Sequence, residues 1–252
     1  MRILVTNDDG IDSEGLLALK KSLSSIGEVV VIAPNHNWSA AGHTKTMHKP
    51  LRVSKVTMRD GDTGYSSDGT PSDCVALAML GVAGDRPQLV VSGINKGANL
   101  GGDITYSGTV AAAMESVVNN VPAIAISVAS YVEWEFEPAA EFAAKLAARI
   151  VEHGMLPNVL LNVNVPSTVR DQIKGVAVTR LGKRIYQDKL IERQDPFGRN
   201  YYWIGGAEPS GNADEGTDIW ALANGYISVT PIHMDLTNYA IMDKLKSWNL
   251  EL

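Results

Sequence analysis

The sequence predicts an α/β fold: a Rossmann-like, mostly parallel sheet flanked by helices, with a hairpin-rich C-terminal extension. Two patterns point there. Apolar runs of strand length alternate with helix-length stretches through the first half of the chain. The strand runs, such as Val29-Val30-Val31-Ile32-Ala33, lack simple alternation, as strands covered on both faces do. The length of 252 residues suits one large α/β domain, or one with an appended subdomain, and allows a sizeable core.

Residues 2–6 read as the first strand and 14–25 as an amphipathic helix ended by Gly27. Residues 28–33 form a second strand closed by Pro34, followed by a long polar loop at 35–49. Residues 51–58 alternate like an edge strand, and Asp60-Gly61-Asp62 marks a turn. Thr70-Pro71-Ser72-Asp73 is a helix start: Thr70 caps, Pro71 takes the first helical position and Asp73 favours the positive end of the dipole. Residues 88–92 are a buried strand leading into a glycine-rich loop at 93–102. A helix at 109–119, a strand at 123–128, a helix at 138–153 and a strand at 158–165 complete the alternation.

The second half changes character. Residues 176–204 carry Arg, Lys and Tyr in strand-like pieces, with Asp195-Pro196-Phe197-Gly198 as a turn. Residues 218–230 hold further strand material, and a short helix follows Leu236. The expected organisation is a single domain over 1–252, with 176–215 an appended β-hairpin region used in oligomerisation.

The balance of 45% hydrophobic and 20% charged residues argues against disorder. A net charge of −6 leaves no electrostatic footprint for a nucleic-acid polymer or a membrane surface. A small anionic substrate stays compatible, because a metal ion reverses the local potential. Cys74 is the sole cysteine, so no intrachain disulfide forms and a reducing compartment fits. The opening apolar run is too short for a signal peptide, and none is long enough to span a bilayer. A soluble, cytoplasmic protein is expected. No G-x-G-x-x-G follows the first strand, which argues against a dinucleotide cofactor.

Chemistry concentrates at strand ends. Asn7-Asp8-Asp9-Gly10 follows the first strand. Adjacent carboxylates repel and are costly to desolvate, so a hard divalent cation between them is the natural partner. The plainer alternative has one Asp capping the next helix and the other solvated. In open α/β sheets ligands bind beyond the carboxyl ends of the strands. The second strand is followed there by Ser39, and the strand at 88–92 by Asn95. Asp8, Asp9, Ser39 and Asn95 together offer four oxygen ligands, with water and a substrate oxygen completing an octahedron. Ser107-Gly108-Thr109 opens the next helix, where free N–H groups and the dipole favour an anion such as phosphate. A plain N-cap by Ser107 or Thr105 is the alternative. His36, His43 and His48 share one loop, but their spacing fits a zinc site poorly. His233 follows a strand and is a candidate general acid or a structural residue. Cys74 and the five scattered Trp read as packing.

Taken together these stretches resemble the SurE, or survival protein E, family of nucleotidases. The matching segments are Ile3-Leu4-Val5-Thr6-Asn7-Asp8-Asp9-Gly10-Ile11, Ala33-Pro34 with Ser39, and Gly69-Thr70-Pro71-Ser72-Asp73. Val91-Ser92-Gly93-Ile94-Asn95-Lys96-Gly97-Ala98-Asn99 and Tyr106-Ser107-Gly108-Thr109-Val110-Ala111-Ala112 follow, with Val229-Thr230-Pro231-Ile232 near the end. The resemblance implies a metal-dependent phosphomonoesterase acting on nucleoside 5′- and 3′-monophosphates, with some members trimming short polyphosphate. It implies one Mg²⁺ or Mn²⁺ held by Asp8, Asp9, Ser39 and Asn95, and a homodimer or homotetramer exchanging C-terminal segments. On that basis metal-assisted attack of water on phosphorus is expected, with Asp8, Asp9, Asn95 and Ser107 as the catalytic set. Ser107, Gly108, Thr109 and Lys96 would hold the phosphate. An aspartyl-phosphate at Asp8 is the rival, but the D-x-D spacing usual for that chemistry is absent. The chain departs from the family form around Ser39: Trp38 stands where an Arg is common, and Ala40 where a Gly is common.

Overall fold

The structure is a computed structural model that describes residues 1–154, 158–206 and 210–250. The chain begins β1 (Arg2–Thr6), α1 (Glu14–Leu23), β2 (Glu28–Pro34), β3 (Val53–Thr57), β4 (Thr63–Ser67) and α2 (Pro71–Met79). Next come β5 (Leu89–Lys96), α3 (Gly108–Val118), β6 (Ala123–Ala129), α4 (Phe136–His153) and β7 (Val159–Pro166). The remainder is β8 (Gly175–Val178), β9 (Lys183–Ile185), β10 (Asp188–Gln194), β11 (Asn200–Gly206), β12 (Ser210–Asn212), α5 (Asp218–Ala223), β13 (Tyr226–His233) and α6 (Met242–Lys246).

One nine-stranded sheet runs β3-β4-β2-β1-β5-β6-β7-β13-β8. Neighbours from β4 through β7 are parallel, while β3 runs antiparallel to β4 and β13 antiparallel to β7. Strand periodicity splits the core into two layers. Ile3, Val5, Leu89, Val91, Ile124 and Ile126 pack with Leu16, Leu19, Leu23 of α1 and the alanine face of α4. Leu4, Ile32, Val90, Ala123 and Ala125 pack with Cys74, Val75 of α2 and Val110, Ala113, Val117 of α3. Helices cover both faces, so the strands need no polar side and read as continuous apolar runs.

The caps follow the local chemistry. Thr70 and Asp73 close a reciprocal capping box on α2, with Pro71 at its start. Ser13 caps α1 through a 3.3 Å bond from Leu16 N. The alternative in which Asp8 or Asp9 capped that helix therefore falls.

The second half departs from the sequence reading in two places. β8 pairs in parallel with β13 and so belongs to the main sheet. The appended strands are β9 to β12, paired as β10–β11 and β9–β12, and residues 207–209 of that stretch lie outside the described residues. Within 218–230 only the later part is strand. Asp218–Ala223 is a helix, because Thr217 accepts from Trp220 N at 3.1 Å and starts a turn that Ile and Trp alone disfavour only weakly. The turn at Asp195 is as expected: its Oδ1 accepts from Phe197 N at 2.8 Å and Arg199 N at 3.0 Å, closing the β10–β11 hairpin. Among the described residues no helix is long and apolar enough to cross a membrane.

Candidate active site

The chain leaves β1 toward β2 on one side, while β5 lies on the other. That reversal opens a crevice between the carboxyl ends of β1 and β5, where such sheets hold ligands. A cleft of about 270 Å³ lies there, and Asp8, Ser39, Asn95, Lys96 and Ser107 all line it.

Asn7 shapes the turn after β1. Its amide nitrogen donates to Gly10 O at 3.0 Å and Ser13 Oγ at 2.7 Å, and its Oδ1 accepts from Gly10 N at 3.2 Å. The chain is thus folded back so that Asp8 enters the cleft. Asp8 is buried, and Thr109 Oγ1 donates to its Oδ1 at 2.5 Å. Burial pushes the Asp8 carboxyl up to about 6, and the neighbouring Asp9 charge adds to this against the Thr109 hydrogen bond. Burial also raises Asp9, opposed by the charge of Lys96. Asp9 Oδ1 accepts from Asn37 Nδ2 at 3.3 Å, whereas its Oδ2 is buried with no hydrogen-bond partner among the described residues. Such an oxygen is costly unless something cationic meets it.

The other oxygen donors are presented for use. Asn95 commits its amide nitrogen to Gly97 O at 2.8 Å, which leaves the carbonyl end for the cleft. Ser39 Oγ donates to Asn37 Oδ1 at 2.6 Å, and its lone pairs remain to accept a cation. Lys96 Nζ sits 4.6 Å from the Trp134 ring centroid, a cation–π contact that holds it at the rim.

α3 begins against Asp8. Ser107 caps it by accepting from Val110 N at 3.1 Å. A Cβ on Gly108 would stand 2.7 Å from Asp8 Cβ and 2.9 Å from Asp8 Oδ2, so only glycine lets the helix and the carboxylate meet. Thr109 was expected to grip substrate, but it is fully buried and its side chain serves Asp8.

The 35–49 loop is tied down along its length, and two of its ties matter most to the site. Trp38 N donates to Asp8 O at 2.8 Å. Further along, buried Glu115 of α3 takes Lys45 Nζ at 2.7 Å and His43 Nε2 at 3.1 Å. Burial raises this carboxyl, but the bonds from His43 and Lys45 outweigh it and its pKa ends below the ordinary value. A depressed carboxylate stabilises the fold above its unfolded pKa and loses that contribution as pH falls through the native value. The latch therefore weakens below about pH 4.5. Glu115→Ala is expected to cost about 1–2 kcal/mol, since its partners keep access to water, and to raise KM several-fold by freeing the Ser39 loop. Urea denaturation and substrate titration check both parts. Ala40, in the same loop, has φ +58°, the left-handed region that favours glycine.

Other expectations resolve differently. His43 is engaged by Glu115, and His36 packs tilted against Trp38 with centroids 4.9 Å apart and planes at 34°. His233 pairs opposite Val159, at the start of β7, and so sits at the sheet edge away from the cleft. As a general acid in this cleft it is excluded by strand direction. The cleft is also lined by Asn99 and Tyr106, which belong to matching motifs, and by Asp103, Tyr131, Arg184 and Tyr186, which the motifs did not single out. For Arg184 and Tyr186 the one advance signal is the Arg- and Tyr-bearing composition after residue 176.

Fold and cleft together define a doubly wound α/β protein with a carboxylate- and amide-lined site at its switch point. The sequence model described as Survival protein SurE matches residues 3–188, and the chain belongs to the SurE family. A 5′-nucleotidase SurE of Chloroflexus aggregans is 51% identical over 253 residues, covering 100% of both chains. One of Herpetosiphon aurantiacus is 51% identical, with 99% of each covered. The crystal structure of the SurE protein from Aquifex aeolicus matches with a TM-score of 0.87 at 43% identity, over 99% of this chain and 100% of that one.

Proposed function

We propose that this chain is a 5′-nucleotidase that hydrolyses nucleoside 5′-monophosphates to nucleoside and phosphate, using one divalent cation, Mg²⁺ or Mn²⁺, held by Asp8, Asp9, Ser39 and Asn95. The observation that carries the reading is the buried Asp9 Oδ2, which has no hydrogen-bond partner among the described residues and adjoins buried Asp8, itself lining a cleft with Ser39 and Asn95. All four donors are hard oxygens, the set such ions take. A bound cation would polarise the phosphoryl group and promote attack by water.

The chain's own residues do the rest. Thr109 holds Asp8 in one rotamer by its 2.5 Å bond. Ser107 lines the cleft at the start of α3, where the helix dipole favours an anion such as phosphate. Lys96 adds positive charge at the rim. Nucleoside 3′-monophosphates and short polyphosphate offer the same terminal phosphoryl group and belong to the proposed substrate range. Nucleic-acid polymers and membranes do not, given the net charge of −6.

We also propose a homodimer or homotetramer, supported by the β10–β11 ribbon, where Leu190, Trp203 and Ile204 are all exposed. A cytoplasmic location is proposed from the lone, buried Cys74.

Phosphate release from adenosine 5′-monophosphate by purified protein tests the enzyme reading. Turnover is expected with Mg²⁺ or Mn²⁺ and should fall on the order of a hundredfold or more after chelation. No release with either ion from mildly acid to alkaline pH would overturn it.

A further inference from the structure

Beyond the phosphate end, the cleft has a wall that the reaction chemistry does not use. It comes from a distant part of the chain. Arg184 in β9 donates from Nε to Asp103 Oδ2 at 2.9 Å, and Tyr186 hydrogen-bonds the other Asp103 oxygen. Asp103 belongs to the glycine-rich segment after β5, 81 residues away from Arg184 in sequence. Tyr131, just beyond β6, lies against the same guanidinium. A Cβ on Gly97 would stand 3.1 Å from the Tyr131 ring, so that ring abuts the loop two residues beyond Asn95.

The wall is anchored, not draped. Buried Asp218 accepts from Gly101 N at 2.8 Å and from Gly182 N at 2.7 Å, joining the glycine-rich segment to the loop before β9. The two backbones come so close that a Cβ on Gly101 would stand 2.5 Å from Gly182 O. Asp103 then fixes the plane of the Arg184 guanidinium. In contrast to these buried anchors, the rings are open: Tyr131 is 63% exposed and Tyr186 47%. Among the described residues neither stacks on another aromatic ring.

Two open phenol rings and a fixed guanidinium plane in one cleft match a flat π-system. Every nucleobase has a π-face, and stacking on Tyr and Arg planes holds it without reading its edges. We infer that Tyr131, Arg184 and Tyr186 form the nucleobase-binding wall of the cleft, with Asp103 as the positioning residue that keeps Arg184 and Tyr186 in place. The identity of the ligand rests on the nucleotidase reading. The wall supplies affinity for the nucleoside half of the substrate, while the carboxylate end acts on the phosphate.

The decisive quantity is the ratio of kcat/KM for adenosine 5′-monophosphate to that for ribose 5-phosphate, which lacks the base. A Tyr131→Ala/Tyr186→Ala double variant should lower the ratio about tenfold or more, through KM. Tyr131→Phe keeps its ring and should keep the ratio, whereas Tyr186→Phe loses the hydroxyl that Asp103 holds and should shift the ratio in the same direction as Asp103→Asn. Asp103→Asn should lower it in the same direction as Tyr186→Ala. A ratio unmoved by the double variant overturns the inference.

Calorimetric titration of metal-chelated protein with adenosine 5′-monophosphate separates this from the enzyme reading. Protein that hydrolyses nothing defeats the nucleotidase reading alone. The wall then stands if the double variant weakens nucleotide binding at least about fivefold. It falls if binding is unaltered or absent in the unmodified protein.

Discussion

Asp8→Asn is expected to lower kcat/KM on the order of a thousandfold while making the metal-free protein more stable. The two effects have one cause. The Asp8 carboxyl is buried beside Asp9, and its pKa is driven up to about 6. Above that value the group is ionised in both native and unfolded chains. The native state then bears the full cost of holding the charge away from water. An amide of the same shape removes the charge and still accepts the Thr109 hydroxyl, so a gain of about 1 kcal/mol follows at neutral pH. The same change halves the negative charge offered to a cation, so the loss of turnover should come with loss of Mn²⁺ binding. Thermal melts with and without Mn²⁺, run beside the phosphate assay, check all three. Near-normal turnover in the variant would defeat the assignment of Asp8.

Gly108→Ala is expected to lower kcat/KM about a hundredfold with little change in secondary structure. Helix propensity alone favours this change by about 1 kcal/mol, because alanine is the better helix former. Contact geometry opposes it. The new methyl would stand 2.7 Å from Asp8 Cβ and 2.9 Å from its carboxylate oxygen, closer than such atoms approach. Asp8 lies in the turn after β1 that the Asn7 hydrogen bonds hold, so either the carboxylate turns away or the first turn of α3 lifts. Both displace a reacting group by on the order of 1 Å, which is enough for a hundredfold loss. Circular dichroism should stay native while turnover collapses. Full activity would mean that α3 yields without disturbing the site.

Legibility in the sequence followed distance along the chain. The alternation of strands and helices, the Thr70-Pro71 helix start and the Asp195 turn all depend on neighbouring residues, and all appear in the structure. So does the edge position of the strand after the long loop, which its alternating pattern announced. At the cleft, Asp8 and Ser39 were found because each follows a strand and parallel strands deliver their ends to one edge, whereas Asn95 stands within the end of β5, which runs on past the expected 88–92 to Lys96. His233 was misjudged by the same rule, because its strand runs antiparallel and ends at the other edge. α5 was read as strand material because its composition is mixed and its cap, Thr217, was overlooked.

The carboxylate pair, the alternation of strands and helices through the first half and the helix covering of both sheet faces were legible in the sequence alone, since periodicity and adjacency are local properties. Tertiary structure alone decided that Thr109 serves Asp8 across 101 residues, that Glu115 latches the Ser39 loop and that Asp103 holds Arg184. Those pairings leave no local pattern. They arise because packing the two layers brings together polar groups that, once removed from water, must find partners in whatever segment lies opposite.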